Sequence, residues 1–411
     1  KYQSEMEIVT ALPSKTYRLQ DYSGDIETWM TCIQLTLTSA ETSNAVNGTQ
    51  SGDPMNACIA IGCLDYDTSA SRLLATYPRS CNSMANIYHW LLVTTLNPCA
   101  TQLLIHKDCQ SDTRKQILAR ITEPPQSRVK PFELIKPFHS SITRDAYASA
   151  IKKIQEYIRA GDCYQVNFTQ RFETFIKGDT WPAYREIRKS LAGGFSGFLR
   201  TDEHHSILSL SPERFLEIKG RNITTQPIKG TAPRHRDFQK DQQIANKLLH
   251  SEKDRAENVM ITDLLRNDLG QFCQPGSIRV TKLCDLESYN NVHHLVSTIT
   301  GQLIDEVTVG QVLIETSPGG SISGAPKKRA IEIIAELESN QRGAYCGSVF
   351  VMAGKDWLQS SIAIRTLEAL DQSLFCWGGG GITADSKWED EYQETLDKVG
   401  PIMRALESAF Q

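Results

Sequence analysis

The sequence predicts an α+β fold, and two observations carry that prediction. Strand-like segments fall in neighbouring groups instead of alternating strictly with helices, which argues against a doubly wound parallel sheet. The chain has 411 residues, 40% of them hydrophobic. That is enough for a sizeable core in one large domain or two ordinary ones.

Residues 1–120 are weakly patterned. Segments 7–12, 57–61 and 86–94 read as strands, and the polar, turn-rich stretch 36–56 reads as loop. The chain opens on Lys1 rather than Met, and further N-terminal sequence is expected. Pro124, Pro125, Pro131 and Pro137 mark residues 123–142 as a linker-like segment between an N-terminal part, 1–122, and a sharper region, 143–411. There Thr143 can cap a helix whose apolar residues Tyr147, Ile151, Ile154 and Ile158 share one face, and Gly161 can end it. Residues 164–172 alternate with a period of two, as a half-buried strand does. Short strands follow at 197–200, 207–210, 214–218 and 223–225. Pro227, Gly230 and Pro233 are then expected to break the chain. Helices are expected at 236–268, 325–338 and 387–409, and strands at 293–303, 345–352, 360–370 and 374–378. Pro401 predicts a kink or break in the last helix just after Lys398.

Composition excludes several classes. Charged residues make up 22% and the formal net charge is -4, so no nucleic-acid footprint appears. No run approaches the roughly 18 apolar residues of a membrane span, and no signal-peptide pattern is present. The 11 cysteines are scattered, odd in number and without a CxxC pair. They read as reduced thiols of a cytoplasmic protein, in which the Asn47-Gly-Thr49 glycosylation pattern is coincidental.

Each feature able to carry chemistry also admits an ordinary structural reading. Glu213, in Ser211-Pro-Glu213 at a strand end, either caps a turn or, with its pKa raised by partial burial, serves as a general acid. Lys229 stands between Ile228 and Gly230. An ordinary ammonium, with a pKa of about 10.4, attacks carbon only when desolvated or set near another cation, so Lys229 reads as a solvated surface charge or as a nucleophile in a pocket. Asp254 and Glu257 lie three apart on one helix face, and Glu391 and Glu394 repeat that spacing with Lys398 four residues on. Two such faces could meet around Mg2+, or could be solvated faces with internal ion pairs. The glycine-rich stretches 317–327 and 378–381 suit an anion cradle but match no P-loop or dinucleotide fingerprint. Arg365, in a strand otherwise apolar, suits a bidentate carboxylate. Of the adjacent His293 and His294, at most one can point into a given pocket from a strand.

Taken together, these motifs resemble the chorismate-utilising enzymes, which include anthranilate, isochorismate and salicylate synthases and aminodeoxychorismate synthase component I. The resemblance covers about 140–411 in the family's order. It runs through 161–172, Ser-Pro-Glu-Arg-Phe at 211–215, Lys-Asp-Arg-Ala-Glu-Asn at 253–258 and Arg-Asn-Asp at 266–268. It continues through 292–299, 318–327, 343–348, 362–366, 379–382 and 391–398. Lysine in Pro-Ile-Lys-Gly-Thr, 227–231, resembles the aminodeoxychorismate synthase branch; most relatives carry alanine there.

The resemblance implies a fold of large antiparallel β-sandwich layers with helices packed outside. It implies Mg2+ on Glu257 and Glu394, supported by Asp254 and Glu391. Arg365, Tyr345 and the backbone of Gly379–Gly381 would hold the enolpyruvyl carboxylate of chorismate. Lys398 would add charge near the ring carboxylate, and His294, Ser321 and Thr231 would line the site. Lys229 would be the nucleophile and Glu213 the acid, with ammonia delivered by a glutamine amidotransferase partner. Some members bind tryptophan in the N-terminal part, but the weak match there carries no such site over.

Overall fold

The computed structural model describes residues 6–42, 58–78, 80–96, 99–122, 130–191, 193–289 and 292–411. Three sheets organise them, and the strand pairings are antiparallel, giving the expected α+β class. The ten-stranded sheet runs Ile228–Pro233, Val292–Gln302, Asn222–Gln226, Arg214–Lys219, Trp357–Ile362, Ser348–Ala353, Ile59–Leu64, Met84–Tyr88 and Lys15–Arg18, with Arg279–Ser288 also on Val292–Gln302. The eight-stranded sheet runs Phe195–Arg200, His205–Ser211, Thr366–Leu370, Ser373–Ile382, Gln165–Lys177 and Gly324–Ala325, with Glu133–Leu134 and His139–Ser140 also on Gln165–Lys177. Met6–Val9, Trp90–Leu96 and Cys99–Ile105 form the third.

The chain crosses between the two large sheets at neighbouring corners. Pro212 and Glu213 link His205–Ser211 to Arg214–Lys219, and residues 363–365 link Trp357–Ile362 to Thr366–Leu370. The corners are stitched together: the Ser211 hydroxyl donates to Ile362 O at 2.6 Å, and the Leu210 N–H donates to Arg365 O at 3.1 Å. Crossing corners bring residues distant in sequence to one place, and two of the expected site residues sit on them.

Several expected elements change. The stretch 36–42 is the end of the helix Ile26–Thr42, not loop; the rest of that stretch and Asn47 lie outside the described residues, as do 123–129 of the expected linker. Residues 86–94 split between Met84–Tyr88 and Trp90–Leu96 in different sheets. The single helix 236–268 is two, Phe238–Leu249 and Glu252–Gly270, because Ser251 adopts an extended backbone and caps the second by accepting from Asp254 N, a cap worth about 1 kcal/mol. Residues 363–365 interrupt the strand expected at 360–370, so Arg365 projects from a corner, with φ 50°. The last helix, Trp388–Phe410, runs through Pro401 without the expected break. Proline in a helix interior costs about 3 kcal/mol, but Val399, Ile402 and Leu406 are buried around it, each stabilising by roughly 1.5–3 kcal/mol.

Candidate active site

Lys229 is set by a bulge. Asn222–Gln226 and Ile228–Pro233 lie end to end along one edge of Val292–Gln302; Pro227 separates the two strands and Pro233 ends the second, as expected, but Gly230 does not break the chain. Pro227 lacks an N–H, but its carbonyl accepts from Ser297 N at 3.2 Å. Lys229 pairs with Leu295 and Thr231 with His294, leaving Gly230 as the extra residue at φ 76°. Glycine suits that left-handed conformation. A Cβ there would also stand 3.0 Å from Asp254 Cβ and 3.1 Å from its Cγ, so the bulge packs directly on the acid-bearing helix. A cavity of about 2530 Å³ runs past Ile228 and Val296, and its lining includes neither Lys229 nor Glu213.

Half-buried Lys229 donates from Nζ to Ser321 O at 3.3 Å. The same Ser321 donates its hydroxyl to Glu213 Oε1 at 2.8 Å. Glu213 is 4% exposed. Burial pushes its carboxyl up to about 7, against the Ser321 hydrogen bond and the charges of Lys229 and Lys398. A carboxylic acid poised near neutrality can give up a proton to a neighbouring group, chemistry that a turn cap does not need.

Across from them stand the acids. Burial raises Glu257, with Glu394 and Asp254 adding to the rise and Lys229 and Lys253 opposing it. Burial also works upward on Glu394, but Lys398, 2.6 Å away, and then Lys253 and Lys229 hold it below the usual range. Lys253 Nζ lies 3.5 Å from Glu391 and 4.0 Å from Glu257. Among the described residues no group of three or more His, Cys, Asp or Glu converges closely enough to hold a metal, so an ion on the expected pair Glu257 and Glu394 would complete its shell with other oxygens. A buried carboxylate such as Glu257, raised further by neighbouring carboxylates, calls for a cation. That donor chemistry fits Mg2+, which takes one or two carboxylates and fills its shell with substrate oxygens and water.

The glycines 378–381 lie inside Ser373–Ile382, paired along Gln165–Lys177, and not in a loop after a strand. Their small size is needed on both faces. A Cβ on Gly380 would stand 2.9 Å from Glu391 Oε2 and 3.5 Å from Glu394 Oε1, and one on Gly381 would stand 1.9 Å from Gln165 Nε2. The Gly379 carbonyl accepts from Lys398 Nζ at 2.9 Å. The stretch 317–327 likewise packs closely: a Cβ on Gly319 would meet Ile362, and one on Gly320 would meet Leu264.

His294 is buried, shares a 2.8 Å hydrogen bond with the Thr231 hydroxyl, and lies with its ring 5.6 Å from Tyr289. Burial first, then the Arg365 charge, lowers its pKa to about 4, so its imidazole is neutral at pH 7. His293 turns the other way, to Asp241 at 3.1 Å and Ser288 at 2.8 Å. Tyr345 is buried, stacked on Trp377 with ring centroids 5.7 Å apart, and its hydroxyl interacts with Cys346. The sequence reading passed over Lys253 and Arg342. The four-residue spacings Lys253/Glu257 and Glu338/Arg342 were the available signals.

A buried acid and a lysine meeting on one turn, with carboxylates and further lysines facing them, is an arrangement suited to acid and amine chemistry, and comparison with known proteins places it. A family model for the chorismate binding enzymes matches residues 6–404, and the chain belongs to that family. It is 46% identical over 321 residues to aminodeoxychorismate synthase component 1 of Escherichia coli (strain K12), covering 78% of this chain and 70% of that protein. It is 38% identical over 274 residues to anthranilate synthase component 1 of Aquifex aeolicus (strain VF5), covering 67% of this chain and 55% of that protein. Its fold matches the crystal structure of anthranilate synthase component I from Streptococcus pneumoniae TIGR4 with a TM-score of 0.83 and 25% identity, over 98% of this chain and 93% of that one. No helix among the described residues is long and apolar enough to cross a membrane.

Proposed function

We propose that this chain converts chorismate and ammonia to 4-amino-4-deoxychorismate, with Lys229 as covalent nucleophile and Glu213 as general acid. The observation that carries the proposal is the meeting of Lys229 and Glu213 on Ser321. The similarity to aminodeoxychorismate synthase component 1 supports the choice of reaction. The Lys229 amine adds to C2 of the ring as the double bond shifts, and the C4 oxygen leaves as water with the Glu213 proton. Ammonia then adds to C4, the double bond shifts back and the C2–nitrogen bond breaks. Lys229 departs as the amine, and the new ammonium returns a proton to Glu213. Splitting one hard substitution into two easier steps is the gain of covalent catalysis. The enolpyruvyl group is untouched throughout.

Glu257 and Glu394 would hold Mg2+, with Asp254 and Glu391 behind them; the ion supplies charge neutralisation for the ring carboxylate. Arg365 and Tyr345 bind the enolpyruvyl carboxylate, and neutral His294 forms a wall of the site. A glutamine amidotransferase subunit in the cytoplasm is the proposed ammonia source, and the product would serve para-aminobenzoate and folate synthesis. The similarity to anthranilate synthase component 1 supports a second reading, amination at C2 with loss of pyruvate. Mass spectrometry of chorismate incubated with the chain, Mg2+ and ammonium separates them. A product with hydroxyl exchanged for amine and pyruvate retained supports the first reading, and anthranilate sinks it.

A further inference from the structure

Arg342 is fully buried and far from ordinary in its bonding. It pairs with Glu338 through Nε and Nη2 at 2.8 and 2.7 Å. Nη1 donates to Ile322 O at 2.9 Å and Nη2 to Asn167 O at 2.7 Å. Its guanidinium also lies 4.4 Å from the Tyr66 ring centroid. Glu338 accepts in turn from Thr169 N at 2.8 Å and from its hydroxyl at 2.9 Å.

These contacts join two parts of the site. Ile322 follows Ser321, on which Lys229 and Glu213 meet. Asn167 and Thr169 pair with Gly381 and Gly379. The Ser321 turn is rich in glycine; Ile322 is buried in the core, and the Ser323 carbonyl accepts from Asn167 N at 2.9 Å, so Arg342 reinforces a junction between the turn and that strand. The planar fork of arginine can satisfy several acceptors in fixed geometry, which an ammonium cannot. A buried ion pair is often no more stabilising than a well-packed apolar pair, so stability alone does not account for one aimed at these two carbonyls.

We propose that Arg342, clamped by Glu338, is a positioning residue: it fixes the Ser321 turn against Asn167, on the strand paired with Gly379–Gly381, and so sets Lys229 relative to Glu213. This rests on the roles proposed above for that pair. A misplacement of about 1 Å can cost on the order of 100-fold in rate.

The test compares wild type, Arg342→Lys, Ser321→Ala and their double variant, with ammonium and Mg2+ saturating. Arg342→Lys is expected to lower kcat roughly tenfold or more while leaving the chorismate KM within about threefold, the split for an interaction that matters in the transition state. The alkaline limb of kcat should move up, because the Ser321 hydroxyl is drawn off Glu213. Ser321→Ala should move it the same way, and the two shifts should not add. Unchanged kcat, an unmoved limb or additive shifts in folded Arg342→Lys would overturn the proposal. Should Arg342→Lys fail to fold, Glu338→Gln is held to the same criteria. Hydrogen exchange across residues 319–325 provides an independent readout: protection should fall there selectively, and uniform or absent loss counts against the clamp. A wild type that does not aminate chorismate overturns the reaction, while exchange still decides the clamp.

Discussion

Lys229 and Glu213 are joined through one residue: the Ser321 carbonyl accepts from Lys229 at 3.3 Å, and the Ser321 hydroxyl donates to Glu213 at 2.8 Å. The proposed nucleophile and acid therefore bond to one turn, Lys229 from a bulged strand and Glu213 from a corner between sheets.

The first consequence is a pH dependence. Glu213 must carry its proton to act as the acid, and its carboxyl is raised to about 7. The rate of the first chemical step should fall as pH rises through about 7. Ser321→Ala removes a hydrogen bond that lowers that value, so its limb should lie higher. Single-turnover rates across pH provide the check; a limb that moves down, or stays, contradicts the assignment.

Glu213→Gln should separate stability from activity. The folded-state pKa of Glu213 lies above its ordinary 4.5, so the folded protein binds more protons than the unfolded chain between those values. Ionised Glu213 therefore destabilises the fold above about pH 7, and that cost disappears as pH falls below 4.5. Denaturant unfolding of Glu213→Gln should show a gain of up to ~3 kcal/mol at alkaline pH, vanishing at acid pH. Its kcat should drop by roughly 100-fold or more. A variant less stable at alkaline pH would contradict the buried-acid account.

Gly380→Ala tests the acid cluster. The new methyl would stand 2.9 Å from Glu391 Oε2 and must push Glu391 aside, while coming into contact with Glu394. Titration with Mg2+ or Mn2+ is expected to show affinity weakened by about tenfold or more, within the range for disturbed ligand support, with the fold retained by circular dichroism. Unchanged affinity would place the ion elsewhere.

Lys253→Gln should act in the opposite direction. The Lys253 ammonium is held charged by Glu391, Glu257 and Glu394 against the cost of burial, and a divalent ion must compete with it. Removing it should tighten Mn2+ binding several-fold, in keeping with roughly 1 kcal/mol for a half-exposed pair. Weaker binding would show that Lys253 supports the ion.

The catalytic region was legible where local chemistry and topology agree. Thr143 caps its helix as expected, but Gln165–Lys177 is buried on both faces over its first six residues and alternates only from Arg171 onward. What could not be read were consequences of pairing. Gly230 looks like a breaker until Val292–Gln302 supplies an edge for it. Gly378–Gly381 read as an anion cradle until the pairing with Gln165–Lys177 and the acids of Trp388–Phe410 show how closely both of their faces are packed. Arg365 belongs to a corner because the chain must change sheets there. Pro401 stays helical because burial outweighs its lost hydrogen bond. Motif order located the acids, but their spacing could not show that Lys253 already stands between two of them. The pairing of Ser348–Ala353 with Ile59–Leu64 was likewise invisible, since long-range register leaves no local mark.

The most direct test is the intact mass of the protein quenched after mixing with chorismate and Mg2+ in the absence of ammonia. The account predicts a species heavier by chorismate less one water, localised to Lys229 by peptide mapping and lost on adding ammonium. No adduct in wild type under conditions where ammonium gives turnover, or an equal adduct in Lys229→Ala, would contradict Lys229 as the nucleophile.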